Sequence, residues 1–88
     1  MSCYRRAGTA SETWIDGELF LVLANQEIVH LDRLAAALWR LLDRPLGFEA
    51  LLEVFAQAFP ATPAVQLRGD LVASLAQLEA AGALARVG

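Results

Sequence analysis

The sequence has one cysteine, Cys3, one histidine, His30, and no lysine. A lone thiol excludes a disulfide framework and a cysteine-based metal cluster, and a reducing cytoplasm is the compartment expected. With no second histidine or cysteine beside it, His30 reads as a strand side chain before it reads as a metal ligand. No uninterrupted apolar run approaches the ~20 residues of a membrane span. Arg5-Arg6 is followed by small and polar residues where an export signal would place its apolar region, so Met1 to Ser11 is expected to be a flexible terminus. Neither a phosphate loop, nor a nucleophile with its base, nor a ligand cluster is visible, so an enzyme is the least supported class and no cofactor is expected. Glu49, Glu53 and Asp70 fall on expected exposed helical faces with no nucleophile in view, and solvated surface is their ordinary reading.

What the chain does have is apolar surface. Hydrophobic residues make up 57% of its 88 positions, above the roughly 45–50% of an ordinary domain. The excess must be core, or a surface awaiting a partner. Ten acidic residues against seven arginines give a formal charge of −3, so the molecule lacks the positive field that draws proteins to nucleic acid or anionic membranes.

One break in periodicity divides the chain. Asp16-Gly17 lies between Trp14-Ile15 and Glu18-Leu19 and is a strong two-residue hairpin signal, because a type I′ turn needs positive φ at both central positions. It predicts strands over about 12–15 and 18–23. Asn25-Gln26 marks a looser turn, and Glu27 to Leu31, "EIVHL", fits a third strand. Asp32 is a suitable N-cap for a helix over 33–42 carrying Leu34, Leu38, Leu41 and Leu42 on one face. Trp39 sits beside that stripe and reads as core before binding anchor; Trp14, next to the hairpin, reads equally as either. Phe48, Leu51, Leu52, Phe55 and Phe59 predict a second amphipathic helix that ends at Pro60. Leu67, Leu71, Leu75 and Leu78, with Val72 beside them, predict a third over 64–81, and Gly82 stands where a helix wants its left-handed C′ residue. Leu84 and Val87 suggest a short closing tail. The expected fold is α+β: a three-stranded antiparallel sheet followed by three helices (βββααα), as one domain over 12–88.

Collinear blocks carry a resemblance: "DGELFLV" and "IVHLD" lead into "AALWRLLD", then "FEALLEVFAQAFP", then "LRGDLVASLAQLEAAGAL". In this order and spacing the chain resembles the PqqD-like peptide chaperones, also called recognition elements of ribosomally made, post-translationally modified peptides. The resemblance implies a winged helix-turn-helix-like fold without catalytic activity. It implies capture of the leader segment of a precursor peptide as an added strand beside the third strand, in a groove bounded by the third helix, and presentation to a modifying enzyme. Carried onto this chain, the strand positions are Glu27, Ile28, Val29, His30 and Leu31, and the helical wall comes from some of Leu67, Leu71, Ser74, Leu75 and Leu78. Many members carry Asn where this chain has Asp32, and the pyrroloquinoline quinone branch proper has a more basic, differently spaced first strand.

The residues alone lead to a compatible place. A three-stranded meander leaves main-chain groups unpaired on its outer strands, and "EIVHL" has little of the charge, proline or cover that usually blunts an edge. Such an edge suits an extended peptide. It equally suits an adaptor or oligomerisation domain that pairs with a second copy as a homodimer. A winged helix that binds DNA shares the order of elements, but its recognition helix would offer only Arg68. No salt-sensitive binding to random duplex DNA is expected in a fluorescence-anisotropy titration at physiological ionic strength; a clear salt-dependent isotherm would restore the DNA-binding reading.

Overall fold

The computed structural model describes residues 2–8 and 10–87; Met1, Thr9 and Gly88 lie outside the described residues. The strands are β1 (Cys3–Arg6), β2 (Ser11–Ile15), β3 (Glu18–Val22), β4 (Ile28–Leu31), β5 (Leu46–Gly47) and β6 (Leu84–Val87). The described residues also form three helices, α1 (Arg33–Leu41), α2 (Phe48–Ala58) and α3 (Ala64–Ala80). The fold is α+β, and its expected meander is present as the antiparallel sheet β2-β3-β4.

Local chemistry explains most boundaries. Asp16 and Gly17 have φ of 53° and 80°, the two positive values a type I′ turn requires. The Asp32 carboxylate caps α1 by accepting the Ala35 N–H at 2.8 Å. α3 ends in a Schellman motif: Gly82, at φ 83°, donates to the Glu79 carbonyl at 3.0 Å and Ala83 to that of Leu78 at 2.9 Å.

The N-terminal expectation is corrected. Cys3–Arg6, read from sequence as part of a flexible terminus, is the central strand of a second sheet ordered β5-β1-β6. It pairs antiparallel with β6 from Cys3↔Val87 to Arg6↔Leu84. Those partners lie at the other end of the chain, so no local pattern announces them. Tyr4 is buried in the core, and the Arg86 guanidinium lies 5.3 Å from its ring centroid. The closing tail around Leu84 and Val87 is thus a strand with a partner.

The core lies between the inner face of β3-β4 and the helices. Leu19, Leu21 and Leu31 meet Leu38, Trp39 and Leu42, then Leu51 and Phe55, then Leu67, Leu71, Leu75 and Leu78. Trp39 resolves as core: its indole Nε1 donates to Glu12 Oε1 at 2.6 Å, and Arg6, whose Nε donates to the Trp39 carbonyl at 2.9 Å, stacks 4.6 Å from its ring centroid. This contact ties β1, β2 and α1 together through one buried aromatic. Trp14 is instead about half exposed, with Arg40 near its ring, and Val72 faces solvent rather than the stripe beside it.

Leu75 is only 2% exposed, whereas Val72 on the same helix is 52% exposed. Leu75→Ala is expected to lower stability by about 2–5 kcal/mol in urea denaturation, and Val72→Ala by less than about 1 kcal/mol. Equal losses would mean that the phase of α3 is wrong.

Candidate functional site

Two turns set which side of each strand is occupied. In the Leu23–Glu27 turn, Gln26 at φ 70° donates to the Leu23 carbonyl at 3.0 Å, Leu23 donates to the Glu27 carbonyl at 2.9 Å, and Asn25 Oδ1 accepts the Glu27 N–H at 3.1 Å. Leu23 and Glu27 are therefore a hydrogen-bonded pair. Pairs of that kind alternate along an antiparallel ladder. With the register Leu21↔Val29 and Leu19↔Leu31, the main-chain groups of Val29 and Leu31 point into the sheet, and those of Ile28 and His30 point away from it. The other hairpin gives the same answer. Its two-residue loop makes Ile15↔Glu18 a bonded pair, so Glu18, Phe20 and Val22 serve β2 and leave Leu19 and Leu21 for β4.

β4 is thus an edge with free donors and acceptors at Ile28 and His30, and its outward side opens on a cleft. The cleft, of about 230 Å³, lies between β4 and the C-terminal part of α3, with Val29, Leu31, Ala35, Gln77, Leu78 and Ala81 in its wall. Small Ala35 and Ala81 leave the room that larger side chains would fill. On the opposite face of the sheet the His30 ring lies 5.0 Å from that of Phe20, its Nε2 is 2.8 Å from Glu18 Oε1, and Ile28 is 67% exposed. An extended segment along β4 would find hydrogen-bonding groups at the edge and, beside it, a hollow of mixed polarity with Val29, Leu78, Asp32 and Gln77 in its lining.

The expected site residues divide on this geometry. Glu27 through Leu31 lie on or next to the free edge, with Leu31 buried beneath it. On α3, Leu78 borders the cleft and Ser74 borders a neighbouring hollow. Leu67, Leu71 and Leu75 are core residues, at 2%, 0% and 2% exposure, and support the wall without facing it. A periodic stripe marks the buried face of a helix, and the groove lies at its flank. Gln77, Ala81, Ala35 and Asp32 are the cleft residues that sequence reasoning did not assign; their signal was position one step off the leucine stripe and at the start of α1. Elsewhere Glu49 pairs with Arg68 at 3.4 Å on a larger hollow of about 580 Å³ between α2 and the start of α3, which also takes in Glu53 and Leu67. No strand of either sheet lines that hollow.

The model of the family described as coenzyme PQQ synthesis protein D (PqqD) matches residues 19–84, and the chain belongs to that family. Among solved structures the chain is similar to TbiB1 in complex with the TbiA(beta) leader peptide. The TM-score is 0.78 over 91% of this chain and 93% of that one, at 18% sequence identity, a likeness of fold. No curated protein sequence matches. No helix of the described residues is long and apolar enough to cross a membrane.

The alternation makes a proline scan specific. Val29→Pro removes a donor that serves Leu21 and is expected to cost about 3 kcal/mol or more, whereas Ile28→Pro and His30→Pro remove outward donors and leave a folded domain within about 1 kcal/mol of the parent. Circular dichroism melts check this; a folded Val29→Pro beside an unfolded His30→Pro would reverse the parity.

Proposed function

We propose that the domain is a non-catalytic peptide-binding module that takes the leader segment of a ribosomally made precursor peptide as an added strand on β4 and presents it to a modifying enzyme. The observation that carries the reading is the outward main chain of Ile28 and His30 opening on the cleft against α3, where Val29 and Leu78 lie beside Asp32 and Gln77. Membership of the PqqD family and likeness of fold to TbiB1 in complex with a leader peptide support it. Glu27, Ile28, Val29, His30 and Leu31 supply the edge, and Leu78 and Ser74 supply the helical side, with Leu67, Leu71 and Leu75 behind them.

The energetics suit a carrier. Each main-chain hydrogen bond contributes a net ~0.5–1.5 kcal/mol, and an apolar side chain in the cleft ~1.5–3 kcal/mol. Ordering the peptide and losing its free motion oppose this by several kcal/mol. Micromolar affinity follows, weak enough to release cargo.

Any leader peptide found to bind the parent domain supplies the test. His30→Pro, folded by circular dichroism, is expected to bind that leader at least about tenfold more weakly than the parent in isothermal titration. A folded His30→Pro variant that binds as tightly as the parent rules out strand addition at β4 and leaves the edge for self-association.

A further inference from the structure

The meander has a second outer strand, β2, on the side away from β4. Its Ile15↔Glu18 pair closes the type I′ turn and is hydrogen-bonded, so by alternation Ser11, Thr13 and Ile15 bond to β3, and the main-chain groups of Glu12 and Trp14 point outward. No other main-chain group among the described residues takes them up. All of β2 is exposed, and Trp14 and Ile15, on opposite faces of the sheet, flank the edge with half-exposed apolar side chains.

The other outer strands are shorter, charged or walled. β5 has two residues, β6 carries Arg86 in an ion pair with Glu79, and α3 stands beside β4, so a second copy brought to β4 would meet that wall with an α3 of its own. β2 has none of these devices. It contains no proline, and its one charged residue, Glu12, is turned inward, 2.6 Å from Trp39 Nε1 and 3.8 Å from Arg6. Thr13, Trp14 and Ile15, all strand formers, are left to the edge. On the helix side Trp14 borders a hollow of about 450 Å³ with Ala36, Ala37 and Arg40, which leaves room there for a neighbour.

β2 is also complementary to itself. A two-fold axis through Thr13 pairs the whole strand with an antiparallel copy: Glu12 and Trp14 exchange bonds with the partner's Trp14 and the partner's Glu12, Thr13 faces the partner's Thr13, and Ile15 faces the partner's Ser11. The neighbouring in-phase registers instead set Glu12 opposite the partner's Glu12 or the partner's Asp16, like charges in direct opposition. Charge therefore selects the full register. In it Arg40, 5.9 Å from the Trp14 ring centroid and without an ion pair among the described residues, is brought toward the partner's Glu12.

We propose that the domain self-associates through β2 as a two-fold homodimer with one continuous sheet, ordered β4-β3-β2-β2-β3-β4. Both β4 edges stay outermost. Self-association and peptide capture then use different edges, and pairing at β2 does not require strand addition at β4.

Sedimentation velocity of the parent domain is expected to show an average mass that rises from monomer toward dimer between about 1 and 500 µM, the range of a small interface. Thr13→Lys, at an exposed position, sets like charges on the axis; folded by circular dichroism, it should dimerise at least about tenfold more weakly. On a Cys3→Ser background, Thr13→Cys should cross-link to a covalent dimer under oxidised glutathione, because directly facing residues hold their Cβ atoms about 4.5–5.5 Å apart. Ile15→Cys, which faces the partner's Ser11, should not. His30→Pro should dimerise as the parent does, whether or not it has lost a leader peptide. A parent that stays monomeric throughout the range overturns the proposal, as does a dimer that tolerates Thr13→Lys and cross-links no faster through Thr13→Cys than through Ile15→Cys. A dimer lost in His30→Pro and kept in Thr13→Lys assigns self-pairing to β4 and overturns it too.

Discussion

Main-chain hydrogen bonding in an antiparallel ladder alternates, and among the described residues β4 pairs with β3 alone; together these leave Ile28 and His30 with outward donors and acceptors. Everything proposed for this protein depends on that alternation being held in phase. Its phase is set by the type I′ turn at Asp16-Gly17 and by the bulged turn from Leu23 to Glu27, where Gln26 accepts a left-handed backbone so that Leu23 and Glu27 can pair. A residue gained or lost in that second turn would move Val29 and Leu31 off the core face and exchange the occupied and free parities at once. The leucines beneath the sheet hold the register, since Leu19, Leu21 and Leu31 are buried only in the observed one.

The rest of the fold braces this edge from behind. α3 crosses the core on four buried leucines, and its Schellman end hands the chain to β6, which pairs with β1. β1 in turn carries Arg6, whose contacts with Trp39 and Glu12 fix α1 and the far strand of the meander. The wall of the cleft is therefore attached at both ends, while the β4 side remains open. Rigid support around an unpaired strand lowers the ordering cost of binding to that of the peptide alone.

Local signals made the central elements legible in the sequence. Asp16-Gly17, the Asp32 cap, the leucine stripe of α3 and Gly82 each have a short-range physical cause, and each predicts its element within a residue or two. The second sheet was not legible, because Cys3–Arg6 finds its partners in β6 and in the two residues of β5, far along the chain. β4 is an outer strand, as the short meander implies, but the parity of its free groups needed the geometry of the Leu23–Glu27 turn. On the helical side, the stripe that makes α3 recognisable is the part that the core consumes. The groove falls to Leu78, Gln77 and Ala81 at its flank.

Amide hydrogen exchange at single residues tests the central claim most directly. In the free domain the Val29 and Leu31 amides should exchange slowly, as members of the ladder to β3, and those of Ile28 and His30 fast. Saturation with a binding peptide should slow Ile28 and His30 and leave Val29 and Leu31 as they were. Ile28 and His30 amides that stay equally fast in the saturated domain would contradict strand addition at this edge.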